Sequence, residues 1–176
     1  MSVKAAIILK FVSPALTSAV VALLLVSGVG ATGLVATSAE KSALPQPTPD
    51  LQPGEVVEIV INALANNDAP FPDAGIETTF NFASPTNKEN TGPLTRFTTL
   101  VKGPVFGQMV NHRDSTLSEV VREGDYALRL VQIIDANYET FYYAFRLKRQ
   151  QEGDFAGMWL TEAVWPLENP KDELAL

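Results

Sequence analysis

The sequence predicts an α+β domain, with helices first and packed on one face of a curved antiparallel sheet. Three observations predict it. Apolar residues recur at helical spacing through Pro53 to Asn67. Side chains alternate strand-fashion through Tyr138 to Arg149. The helical signals all precede Val105 and the strand signals all follow it. A long sheet wrapped over a helix closes into a cone, and broken helices would shut its side.

In the first helix, Val57, Val60, Ile61 and Leu64 make one apolar stripe. Pro53 suits the first turn, where an N–H would be unpaired anyway. Glu55 and Glu58 complement the positive end of the helix. Asn66-Asn67-Asp68, followed by Pro70 and Pro72, stops it. Asp73 is placed to cap a second, short helix, with Ile76, Phe80 and Ala83 on one side. Pro85, Asn87, Asn90 and Gly92 read as its break. Thr91 is placed to cap a third helix, with Leu94, Phe97 and Val101 inward and Gly103-Pro104 as the stop.

The strands follow as a meander of about four with short connections. Ser115 to Arg122 alternates imperfectly and ends at the turn Glu123-Gly124-Asp125. Tyr126 to Ile134 is rich in Leu, Val and Ile. Asp135-Ala136-Asn137 turns again. Then Phe141, Tyr143, Phe145 and Leu147 oppose Tyr142, Ala144, Arg146 and Lys148. After a turn around Gly153, Phe155 to Trp165 forms the last strand, ended by Pro166.

Residues 1–39 have another composition. Lys4 and Lys10 are the only charges, Ala15 to Val26 is apolar apart from Thr17 and Ser18, and small residues permit cleavage after Ala31 or Ala39. Basic start, apolar middle and small-residue exit match a secretory signal. Residues 11–36 are also long enough for an uncleaved hydrophobic membrane helix. Both readings keep the N-terminus cytoplasmic and export or tether the rest, on the periplasmic or thylakoid-lumen side. Pro45, Pro47 and Pro49 make residues 40–52 a semi-rigid linker. The cone domain spans 53–168, and 169–176 is an acidic tail. Its "KDEL" does not act as a retention signal, because Ala175 and Leu176 follow it.

The 176 residues suffice for one domain with a sizeable core. No cysteine is present, so disulfides, thiolate metal sites and cysteine nucleophiles are excluded. The formal net charge of -7 argues against nucleic acid as a partner. Nothing has the spacing of a metal site, a phosphate loop or a nucleotide fingerprint, and no cofactor is expected.

"ALANNDAPFPDAGIETTFNFAS" (Ala63 to Ser84), "GPLTRF" (Gly92 to Phe97) and "GMWLTEAVW" (Gly157 to Trp165) resemble segments of a family of unassigned function in plants, algae and cyanobacteria. The likeness runs in order from Pro53 to Trp165. It implies a nuclear transport factor 2-like cone and a link to photosynthetic membranes. No reaction and no catalytic residue comes with it.

Cones of this kind hold a pocket between sheet and helices, here expected to involve Phe80, Phe97, Phe145, Trp159 and Glu162. Resembling enzymes pair a buried carboxylate base with a tyrosine donor, which makes Glu162, Tyr143, Tyr142 and His112 the catalytic candidates. Continuous strand parity sets Met158, Leu160, Glu162 and Val164 on one face, and Trp159, Thr161, Ala163 and Trp165 on the other. Asp125 reads as a turn residue, and Asp68 and Asp73 as caps and turns. The leading expectation is a non-catalytic module that binds a protein partner or an apolar small molecule. The alternatives are a small lyase or isomerase, and an assembly factor of a membrane complex. The open sheet face suits a homodimer.

Overall fold

The computed structural model describes residues 44–168. The signal or anchor reading of 1–39 and the acidic tail of 169–176 lie outside the described residues. Among the described residues, no helix is long and apolar enough to cross a membrane. The domain is α+β, with four helices and an antiparallel sheet. The helices are α1 (Pro53–Ala65), α2 (Ala74–Asn81), α3 (Pro85–Thr91) and α4 (Leu94–Val101). The strands are β1 (Asp114–Leu117), β2 (Val121–Glu123), β3 (Tyr126–Ile134), β4 (Thr140–Arg149) and β5 (Trp159–Leu167).

The predicted stripe of α1 is buried, with Val56 added to it. The Glu55 carboxylate accepts from the Gln52 N–H at 2.7 Å, which satisfies one free donor of the first turn. Arg129 of β3 pins the same end to the sheet. It donates to the Gly54 carbonyl at 2.7 Å and pairs with Glu58 at 2.8 Å. The inner sheet face supplies Ala127, Val131, Ile133, Tyr143, Phe145, Leu147 and Trp159. These pack with α1 and with Ile76, Phe82, Phe97, Val101 and Met109 into one core.

The helical layer differs from the sequence expectation. The stretch read as a break is a helix, α3. Pro85 occupies its first turn, and the Ser84 hydroxyl caps it by accepting from the Asn87 N–H at 3.0 Å. No α3 residue is buried. Its attachments are polar and aromatic: Asn87 donates to the Thr161 carbonyl at 3.1 Å, and the Lys88 ammonium lies 5.2 Å from the Phe80 ring centroid and 5.1 Å from that of Phe155. Thr91 therefore ends α3 and does not cap α4, whose N-cap is Pro93. Asp73 sits at the N-cap of α2 without making a cap bond. Residues 44–52 do not stand clear of the domain either: Leu44 is buried and Leu51 packs against the core.

In the sheet, the single edge strand expected over Ser115 to Arg122 is two strands. β1 pairs with one end of β3 and β2 with the other. Ser118 causes the split. Its hydroxyl accepts from the Leu130 N–H at 3.0 Å and donates to the Glu119 carbonyl at 2.8 Å, taking the place of a ladder carbonyl. The Ser118 carbonyl accepts from Arg129 Nε at 2.9 Å. At the other edge, Thr161 of β5 bridges residues 82–84: its N–H donates to the Phe82 carbonyl at 2.8 Å, and its carbonyl accepts from the Ser84 N–H at 3.0 Å.

The parity expectation for β5 is corrected by a β-bulge. Leu147 pairs with Thr161, but Arg146 pairs with Ala163, so Glu162 is an extra residue. Directly paired residues share a face. Thr161 therefore faces the core with Leu147, and beyond the bulge Val164 faces it with Phe145.

α1 and α2 meet at Gly75, where a Cβ would stand 2.1 Å from the Ala63 carbonyl oxygen. Gly75→Ala is expected to cost about 3 kcal/mol of stability through forced separation of the two helices. Urea unfolding measures it, and a variant as stable as the parent would contradict the close approach.

Candidate functional site

The quoted motif residues Asn67, Asp68 and Asp73 meet in a polar cluster at the junction of α1, α2 and the loop before β1. The buried Asn67 amide donates to Asp68 Oδ1 and to Asp73 Oδ1, both at 2.9 Å, and its oxygen accepts from the Ile76 N–H at 3.1 Å. Its own N–H donates to Asn111 Oδ1 at 3.1 Å, and Asn111 donates back to Asp68 Oδ2 at 3.1 Å. Asp68 also accepts from the Asp73 N–H at 3.0 Å, and Lys102 closes the set on Asp73 Oδ2 at 2.7 Å. Asp73 (φ 65°) and Asn111 (φ 53°) take left-handed backbone conformations that Asp and Asn tolerate. The Asp73 N–H, then the Asn111 amide, hold the Asp68 carboxyl below its ordinary value. The Lys102 ammonium, then the Asn67 amide, do the same for Asp73. Both carboxylates are thus engaged as ionised acceptors, Asp68 exposed and Asp73 partly buried, around the buried Asn67 amide.

The catalytic candidates are dispersed. The Tyr143 hydroxyl is buried against the loop before β1, donating to the Val105 carbonyl at 3.0 Å with Gln108 Oε1 at 3.4 Å, and burial pushes its pKa up to about 12. Tyr142 is half-buried on the opposite sheet face. The buried His112 places Nδ1 2.7 Å from the Met109 carbonyl, so Nδ1 carries the proton. Asp125 is exposed in the turn after Gly124.

A cavity of about 300 Å³ opens between the helices and the bulged part of β5. α3 and α4 give it Asn87, Thr91, Phe97 and Leu100, and the sheet gives it Phe145 and residues 161–164. Phe97, Phe145 and Glu162, of the expected pocket residues, border this space. Phe80 and Trp159 do not. Phe80 stands behind Phe97 with ring centroids 5.2 Å apart, and Trp159 is buried beneath Arg122 at 4.7 Å. Among the described residues, Glu162 is the only ionisable one in the wall. It also borders a second cleft with Glu123, Asp125, Tyr126 and Arg146. The cavity shares Leu100 and Phe106 with a shallower groove beside α4, whose lining side chains are mostly exposed.

Sequence reasoning missed Thr161, Asn87, Thr91 and Leu100 as wall residues. Asn87 and Thr91 stand four apart, the spacing of one helix face, but in a stretch read as loop. Parity groups Thr161 with Trp159, as the register does, but a small polar side chain gives no pocket signal. Among the described residues, no group of three or more His, Asp or Glu side chains is placed to hold a metal ion. Comparison with protein-family models, with curated proteins and with solved structures returned no match.

Two outcomes follow from these placements. Tyr143→Phe is expected to lose about 1 kcal/mol, the worth of one hydrogen bond, in denaturant unfolding. Because the Asp68 and Asp73 pKa values are depressed on folding, their contribution is present above about pH 4 and lost as the pH falls through the lowered values. Asp73→Asn is expected to melt lower than the parent at neutral pH and to lose less between pH 6 and pH 2, as read by thermal unfolding across that range.

Proposed function

We propose that this chain is a non-catalytic binding module of the nuclear transport factor 2-like cone type, exported or tethered to a membrane by residues 1–39, and that it holds an apolar small molecule between its helices and its sheet. The cavity carries this reading. Its volume falls at the lower end of the range of ligand pockets, about 300–1,000 Å³, and its walls are apolar with a few polar groups, as such pockets are. The ordered resemblance from Pro53 to Trp165 supports the cone and a setting at photosynthetic membranes.

An acid/base enzyme draws less support. Such a site needs a carboxylate and a donor converging on one reacting atom. Tyr143 lies outside the cavity wall with its hydroxyl donated to Val105, and Tyr142 is on the other face of the sheet. Glu162 has no partner of this kind in the wall.

Benzene, a compact neutral probe that enters dry apolar cavities, tests the reading. It is expected to shift the methyl resonances of Leu100, Val101 and Val164 and to raise the melting temperature. Val164→Phe, which adds a ring to the cavity wall, is expected to abolish both responses while the variant remains folded. Unchanged spectra of the parent at saturating benzene would end the binding reading.

A further inference from the structure

We propose that the cavity selects a compact neutral molecule, apolar over most of its surface and bearing one hydrogen-bonding oxygen, such as a ketone or an alcohol, and that the Thr161 hydroxyl reads that oxygen. The inference rests on the binding reading above and adds the class of ligand.

The polar groups of the wall decide the matter. Thr79 donates its hydroxyl to the Gly75 carbonyl at 2.9 Å, Thr91 to the Asn87 carbonyl at 2.8 Å, and the Asn87 amide to the Thr161 carbonyl at 3.1 Å. Each of these is engaged with backbone, and Asn90, the other neutral polar residue of the wall, is exposed to solvent. Thr161 is 3% exposed, and its Oγ1 is the single buried side-chain polar atom without a hydrogen-bond partner among the described residues. Its register opposite Leu147 turns the side chain toward the helices, and the residue lines the cavity. A buried hydroxyl left unpaired is destabilising, and a threonine can exchange its hydroxyl and methyl positions by a turn of about 120° about χ1. Oγ1 as it stands is shut off from the cavity space, so a ligand oxygen would meet the hydroxyl after that turn.

Charge sets the rest of the preference. Among the described residues, no Lys, Arg or His lines the cavity, and Glu162 stands in its wall. An anionic head group would lose its water without gaining a counter-charge, and would face a carboxylate. A neutral oxygen at Thr161 carries no such cost.

The test uses the full chain in lipid nanodiscs, which shelter the apolar N-terminal stretch without a competing detergent. 2-Adamantanone, adamantane-1-carboxylate and adamantane are titrated calorimetrically, with empty nanodiscs subtracted. The ketone is expected to bind at least tenfold more tightly than the carboxylate. Thr161→Val, which keeps the shape and removes the hydroxyl, is expected to cut ketone affinity about tenfold and leave adamantane affinity unchanged. Without ligand, the same variant is expected to melt about 3 °C higher, because an unpaired hydroxyl has been removed. Equal binding of ketone and carboxylate, or ketone affinity unaffected by Thr161→Val, would overturn the proposal. So would a ligand-free variant that melts lower than the parent, since the hydroxyl would then be paired already. Failure of all three probes to bind the parent would instead remove the binding reading on which the proposal rests.

Discussion

The Asn67 carboxamide is buried where α1 ends, and it is bonded on every side. It joins the first turn of α2 to the acidic residues on either side of the 69–72 loop, while the backbone N–H of the same residue donates to Asn111 in the segment that leads to the sheet. A side chain with both a donor and an acceptor suits this junction, where helix N–H groups lie on one side and carboxylates on the other. A half-satisfied buried network would be worse than an apolar one, so its completeness matters. Arg129 performs the complementary task at the other end of α1, reaching Gly54, Glu58 and Ser118 from the inner sheet face. Between these two attachments α1 lies across the sheet at a set height, and the shorter helices are placed relative to it.

That placement leaves the cavity. α2 is drawn against α1 so closely that only glycine fits at 75, while α3 buries no residue and is held to β5 through Asn87. The β5 bulge lies opposite α3 and α4. By adding Glu162 after the inward Thr161, it brings Val164 rather than Ala163 to the inner face, and it puts one carboxylate in the wall. The cavity thus arises from two departures from regularity, a polar helix without buried residues and a strand that slips register once.

The parts of the fold legible in the sequence were those with repeated apolar signals. The stripe of α1 and the alternation of β4 are strong because many side chains vote for one face, and Tyr143 and Tyr142 accordingly fall inside and outside. α3 was not legible, since "PTNKENT" has no apolar stripe and is held by a serine cap, an asparagine contact to Thr161 and a lysine between two rings. The bulge was not legible because parity along "MWLTEAVW" presumes an unbroken pleat, and only the partner strand reveals the slip. Phe97 and Phe145 stand out for the cavity as large apolar residues facing inward, whereas Thr161, small and polar, carries no such signal. Asn67 and Asp73 read locally as terminator and cap. Their partners, Asn111 and Lys102, are too distant in sequence for local chemistry to connect.

The break at Ser118 has a meaning beyond the domain's own stability. An exposed, continuous strand offers its free N–H and C=O groups as a template on which another chain can polymerise. Here one margin of the sheet is cut into strands of four and three residues, separated where a serine side chain replaces the ladder. The opposite margin is occupied at Thr161 by residues 82–84 of the same chain. The two irregularities therefore act as guards against fibre growth, for a sheet whose solvent face still bears Leu130 and Trp165.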